Sequence, residues 1–549
     1  MCGILFSLGS QDQVDQEEWQ LLCQLNTLRG PDAQQLIQLQ TGHHHLQFYS
    51  TVLHLRGPDV VPQPLCRSNN VLCWNGEIFD GLPVPVGQND TAILMDQLES
   101  AETEDAILKT MEQIEGPFAF VYYRASSQTI YFGRDCLGRR SLLWHPQQPF
   151  MLSSVGRQQD GGAWEEVPAK GIYAIYLHQY KTSQDIQLFP WTVDPQPNAL
   201  KLPFPRLNQD LPQSLEPVQD PDIMPEIDPE MQQAIHQFTT VLAESVQQRV
   251  ADIPHLDQQQ QDKARVAILF SGGLDCISLA ALAHRYLPLS ESIDLLNVAF
   301  ENPRSQQAKG KQKKENDTMY DTPDRLTGKK GVEELRRIAP ERTWHFVEIN
   351  VPYHEAMEHR QRIIDRMFPL DTVMDLSIAM AFWFASRGKG VVIEQYQVQD
   401  YESHARVLIS GLGADEQLGG YSRHREAFRH GSWERLIRET QLDVDRISTR
   451  NLGRDDRIMS DHGKEVRFPF LSTKVVDWLC GQPIQLKMDL RYNRGIGEKL
   501  LLRQVAHQQL GLVESSRNWK RAIQFGAKTA KMTGEARSEK GQHKFYNKD

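Results

Sequence analysis

An apolar run that breaks on a serine and a glycine occurs twice in the second half of this sequence. It reads ILFSGGLDC at 268–276 and LISGLGADEQLGGY at 408–421. Each reads as a buried strand, a sharp glycine turn and the start of a helix. Between them the strand IDLLNVAF, a helix near Val332 to Ile338, the strand WHFVEINV and a helix through Met374 to Ser386 keep up the alternation. That rhythm predicts an α/β domain built on a parallel sheet covered on both faces. In such a sheet the two strand ends, with Asp275 and Asp415, face one crevice. Free N–H groups at a helix start favour phosphate, and two carboxylates beside them suit Mg²⁺ held against a triphosphate. No GxxxxGK[ST] occurs anywhere, so this is not the ordinary P-loop. A nucleotide is the expected ligand.

The first part of the chain is different. NNVLCWNGEIF, GPFAFVYY, QTIYFGRD and GIYAIYLHQY are β-branched, aromatic and bounded by turn residues. With helices at Asp90 to Leu98 and Ala106 to Ile114, they predict an α+β domain of layered sheets. Pro190 to Pro229 is dense in Pro, Gln and Asp and reads as an extended linker. It ends at a helix that Asp228 caps and Pro229 opens, with Ile235, Phe238, Leu242, Val246 and Val250 at helical spacing. The expected division is 2–190, a linker 191–228, a second domain 229–530 with a lysine-rich insert 304–330, and a polar tail 531–549.

Composition removes some functions. A net charge of -11 over 549 residues argues against a sequence-independent nucleic-acid binder. The longest apolar stretch, Ser377 to Ala385, is too short to span a membrane and reads as a buried helix. Seven scattered cysteines without a CxxC pair, and no visible signal peptide, read as reduced thiols of a cytoplasmic protein. His43, His44 and His45 have no acidic or cysteine partner at ligand spacing and read as an exposed strand edge.

The two glycine stretches, with NLGRDDRIMSDHGKEVRFPFL and GIGEKLLLR further on, resemble the ATP-pyrophosphatase (PP-loop) domain of glutamine-dependent asparagine synthetases. KRAIQFG suggests one branch of that family. The resemblance covers nearly the whole chain. It implies ATP and Mg²⁺, with ATP adenylating the side-chain carboxylate of aspartate. By position, Ser271, Gly272, Gly273 and Asp275 would hold the pyrophosphate end of ATP, and Ser410 and Gly411 would touch the nucleotide. Backbone at Leu269 and Val298 would meet the adenine. Asp275 and Asp415 would bind Mg²⁺, and Lys499, which alone reads as a solvated surface lysine, would stabilise charge on the phosphates. Cys276 stands where the family's loop usually ends in serine, a weaker donor in the same space.

The same resemblance makes the first domain an N-terminal nucleophile, class II glutaminase whose nucleophile is Cys2 once Met1 is removed. Thiol and α-amine titrate near ~8.5 and ~8, so the amine can take the thiol's proton and pass it to leaving ammonia. Asn75 and the Gly76 N–H would form the oxyanion hole, and Glu77 would hold the substrate ammonium. Arg56 would pair with the glutamine carboxylate, and Asp90 would hold the α-amine. RGPD at Arg29 to Asp32 and GRDCLGRRSL at Gly133 to Leu142 belong to the same pattern. Each residue has a plainer reading: Asn75-Gly76 as a hairpin turn, Arg56 as a surface charge, Asp90 as a helix cap. One position departs. Leu412 stands where asparagine synthetases have Glu, and leucine neither accepts a proton nor pairs with a cation. Two alternatives therefore stay open: an amide-forming ligase with another carboxylate substrate, and a non-catalytic scaffold. The oligomeric state is not legible.

Overall fold

The computed structural model describes residues 2–10, 14–157, 164–194, 196–256, 262–301, 303, 319–519, 521–530 and 544. Two antiparallel sheets form the first part. One runs in the order Glu165–Glu166, Leu143–His145, Phe150–Ser153, Gly3–Gly9, His44–Val52, Ala33–Thr41. The other runs Leu200–Lys201, Gln187–Thr192, Gly171–Tyr176, Thr129–Arg134, Phe118–Arg124, Asn70–Gly76, Leu65–Arg67. Only its short outer pair, Gln187–Thr192 with Leu200–Lys201, is parallel. Inward-facing Ile4, Phe6 and Leu8 from the first sheet meet Val121, Phe132 and Ile175 from the second. Alternation along each strand produces this face-to-face packing. Every residue of Gly3–Gly9 is buried, so this strand is central. Gly3 has no room for a side chain, because a Cβ would fall 2.6 Å from Thr51 Oγ1.

The third sheet is ordered Gln397–Glu402, Lys389–Glu394, Trp344–Val351, Ile293–Phe300, Val266–Leu269, Val407–Ile409, Glu465–Arg467. Its inner strands pair in parallel, as expected, and an antiparallel hairpin closes one edge. The helices Leu274–His284 and Val373–Arg387 bury most of their residues. The second contains Ser377 to Ala385, as read from the sequence. Asp228 caps the helix Pro229–Val250 by accepting from the Met231 N–H at 2.7 Å.

One boundary differs from the sequence reading. A helix runs Pro323–Ile338, capped by Thr322, so the stretch taken as an insert becomes regular structure at Pro323. The run KGKQKK lies outside the described residues. The segment read as an extended linker is held down at several points. Phe204 and Leu207 are buried, the Asn208 N–H donates to Cys480 O, and Arg491 donates to the carbonyls of Ser214 and Glu216. Its polar composition hid a few apolar anchors. Among the described residues no helix is long and apolar enough to cross a membrane.

Candidate functional site

Cys2 heads a strand of the first sheet, and Asn75 and Gly76 end a strand of the second, so the sandwich brings both to one rim. The Cys2 backbone nitrogen donates to Asn75 Oδ1 at 3.1 Å. Asn75 Nδ2 is buried with no partner among the described residues, a donor left over. Asn75 and Gly76 are not a hairpin turn; they lie in register with Ala119 and Phe118. Arg56 donates from Nη1 to Ile78 O at 2.7 Å and lies 3.4 Å from Glu77 Oε2, so it is no surface charge. Asp90 does not cap its helix, since Asn89 does; its Oδ2 accepts from the Ile78 N–H at 3.0 Å. Cys2, Arg56, Asn75, Gly76, Glu77 and Asp90 thus form one cluster. Burial pushes the Cys2 thiol up to about 11. It pushes Glu77 up to about 7 against the pull of Arg467, and raises Asp90 against that of Arg56.

The second cluster lines a cleft of about 250 Å³ at the carboxyl ends of the parallel strands. Leu269, Ser271, Gly273, Asp275 and Cys276 form one wall, with Val298 beside them. Ser410, Gly411, Leu412 and Asp415 form the facing wall. Gly272 is not a wall residue but makes the turn, with φ +76° and no space for a Cβ, which would fall 2.5 Å from the Gly328 nitrogen. Cys276 Sγ donates to the Gly273 carbonyl at 3.2 Å and lies 3.7 Å from Ser271 Oγ, so the thiol braces the loop. Lys499 is no surface lysine. It is buried, with left-handed backbone at φ +56°. Its Nζ lies 2.7 and 2.6 Å from the two oxygens of Asp275 and 2.7 Å from Asp415 Oδ1. Both carboxylates therefore converge on one cation, and two such hard oxygen donors would suit Mg²⁺.

Several residues of these sites were not legible in the sequence. Gln63 Nε2 reaches to 3.8 Å from Cys2 Sγ, and its Oε1 accepts from the Trp74 N–H at 2.7 Å. Arg29, from RGPD, donates through Nε to Cys2 O at 3.3 Å and pairs with Asp456 at 2.7 Å. Arg467, from EVRFPF, lies 3.1 Å from Glu77 Oε1 and 2.7 Å from Glu465, which pairs with Arg140 at 2.9 Å. A buried ionic framework thus joins the two parts of the chain beside Cys2. It includes GRDCLGRRSL and NLGRDDR, which the sequence reading quoted without a task. Only the appearance of arginines in apolar settings, such as EVRFPF, could have signalled it.

With this geometry in view, the known proteins are informative. The asparagine synthase family profile matches residues 255–438 and 429–539, and the glutamine amidotransferase domain profile matches 53–157. The Homo sapiens asparagine synthetase domain-containing protein 1 is 40% identical across 97% of this chain and 95% of its own length. An asparagine synthetase domain-containing protein of Drosophila melanogaster is 32% identical, with both chains fully covered. The glutamine-hydrolysing asparagine synthetase of Mus musculus is 22% identical across 92% of this chain and 80% of its own.

Proposed function

This chain belongs to the asparagine synthetase family of glutamine amidotransferases, and from that premise we propose that it makes asparagine from aspartate, ATP and glutamine. The observation that carries this reading is the pair of clusters in one chain. Cys2 stands against Asn75 in one, and Asp275 and Asp415 of the two serine–glycine loops meet at Lys499 in the other.

In the first cluster the Cys2 sulfur attacks the carboxamide carbon of glutamine. The unpaired Asn75 Nδ2 and the Gly76 N–H receive the developing oxyanion. Glu77 and Asp90 hold the substrate amine, and Arg56 its carboxylate. The C–N bond breaks, ammonia leaves with a proton from the Cys2 amine, and water then releases glutamate from the thioester. In the second cluster the Ser271–Gly273 and Ser410–Gly411 loops hold ATP, with Leu269 and Val298 at the base. The aspartate side-chain carboxylate attacks the α-phosphorus and pyrophosphate leaves. Ammonia then displaces AMP. Asp275 and Asp415 would hold Mg²⁺, which when bound offsets phosphate charge. Lys499 stabilises charge on the departing pyrophosphate. The partners are these small molecules, and the expected location is cytoplasmic.

The reading is tested by incubating the protein with ATP, Mg²⁺, glutamine and aspartate and following pyrophosphate and asparagine. Both should appear, in equal amounts. Lys499→Ala is expected to slow pyrophosphate release by ~10²–10³-fold; an unchanged rate would remove the lysine from the chemistry. The glutamine site should also show a pH signature. The Glu77 carboxyl is held up to about 7 by burial, and only its ionised form pairs with an ammonium. The KM for glutamine should therefore fall as pH rises through 7, and Glu77→Gln should flatten that profile.

One observation favours a second reading. Leu412 lines the cleft with Ile378 and Phe382, an apolar stretch. An acceptor carboxylate other than aspartate would use it. Pyrophosphate without asparagine, in a screen of carboxylic acids, would select this reading. Silence with both glutamine and ammonia, from folded protein, would leave the scaffold.

A further inference from the structure

KRAIQFG has no task in the chemistry above, yet the segment that carries it does not hang free. Asn518 Nδ2 donates to the Gly272 carbonyl at 3.3 Å, on the first glycine loop. The Ala527 carbonyl accepts from the Phe300 N–H at 3.1 Å, at the end of the strand that holds Val298. Between these ties, Ile523–Gly526 makes one helical turn. Gly526 lies directly on Asp324, where a Cβ would fall 2.0 and 2.1 Å from the carboxylate oxygens. Ala527 is buried and Ile523 packs against the same core cluster as Phe382. Trp519, Arg521, Ile523 and Gln524 face the cleft together with Ser271 and Asp275. The described residues of this segment, Asn518, Trp519 and Arg521 to Ala527, therefore lie along the cleft like a strap, from the phosphate loop to the base end.

Among the described residues of the strap, Arg521 is a cation in the cleft wall. Its Nη1 lies 3.4 Å from Thr327 Oγ1, and its guanidinium stands 5.7 Å from the centre of the Trp519 ring. Thr327 and Gly328 back onto Gly272, so Arg521 sits at the phosphate end. Its side chain is exposed. The Asp324 carboxyl nearby is pushed up to about 7 by burial, so it opposes an arriving anion only in part. Lys499 lies between Asp275 and Asp415, and the arginines that also line the cleft, Arg454 and Arg503, are paired with Asp375 and Glu498; a triphosphate carries more charge than Lys499 alone balances. A guanidinium fork suits the phosphate oxygens that remain.

We propose that this C-terminal strap is the outer wall of the nucleotide site and that Arg521 is a further binding residue for the triphosphate of ATP. This rests on the ATP reading of the cleft. The test titrates the full chain with ATP and Mg²⁺, and separately with adenosine, by calorimetry. Arg521→Ala is expected to weaken ATP binding about tenfold and to leave adenosine binding within about twofold. Arg521→Lys recovers part of the loss. ATP should also slow tryptic cleavage after Arg521 and Lys528 severalfold. Because Arg521 is exposed, the variant should keep the wild-type thermal midpoint, which confirms folding. Unchanged ATP affinity, or equal losses for ATP and adenosine, overturns the assignment while the ATP reading stands. A wild-type chain that binds no ATP overturns both.

Discussion

Cys2→Ala is expected to cut glutamine hydrolysis by ~10³-fold or more, the scale on which a lost nucleophile is felt, while ammonia-driven pyrophosphate release continues. The reason lies in the local electrostatics. Burial holds the thiol up to about 11. At pH 7 the thiol therefore keeps its proton, so the sulfur needs a base within reach. Among the described residues, the side chain that reaches it is the Gln63 amide, at 3.8 Å, a donor and not a base. The nitrogen of Cys2 itself, held by Asn75 Oδ1, is the group that can take the proton once it is a free amine. A chain that keeps Met1 should therefore lose hydrolysis nearly as fully as Cys2→Ala, because an amide has no such basicity. The measurement is glutamate release, alongside mass analysis of the amino end. Equal hydrolysis by Met1-bearing and processed chains would refute the mechanism.

Glu115→Gln is expected to destabilise the chain by about 3–5 kcal/mol, the cost of leaving buried charge without its partner. Glu115 belongs to the first part of the chain and is buried at the seam. Its Oε1 lies 2.9 Å from Arg249, its Oε2 accepts from Thr473 Oγ1 at 2.9 Å, and Arg139 stands at 3.5 Å. Burial alone would raise this carboxyl, but Arg139 and Arg249 outweigh it and hold it at about 2. Arg249 moves the other way, down to about 10, because burial and the Arg139 and Arg467 guanidiniums outweigh Glu115. It is still a cation at pH 7. A carboxyl depressed in the fold contributes stability above its ordinary value of 4.5, and loses it as pH falls from there towards about 2. Denaturation midpoints at pH 7 should drop for Glu115→Gln and for Arg249→Met. The double variant should cost less than the sum. Strictly additive losses, or wild-type acid sensitivity in Glu115→Gln, would show that the seam does not depend on this pair.

The same contrast between near and far neighbours explains what could be read before the structure. The turn at Gly272, the cap at Asp228 and the buried helix through Ser377 to Ala385 each depend on residues a few positions away. So does the pairing of Asp275 with a serine–glycine loop. The helix start at Pro323 was missed, although Thr322 and Pro323 signal it, because the polar run before it dominated the composition. Asp90 and Asn75 had innocent local readings, and only their contacts with Ile78 and Cys2 remove those readings.

The chain's order of residues was enough to specify most strands and the helix starts at Asp228 and after Gly273, and through them a layered α+β part followed by a parallel sheet. Such features arise from steric and hydrogen-bond preferences that act within one turn or one strand. That Arg467 meets Glu77, that Lys499 lies between two aspartates, and that a C-terminal strap walls the cleft were decided only by folding. These contacts join groups far apart in the chain, and a charge gains its partner only when burial takes water away and leaves one neighbour within reach.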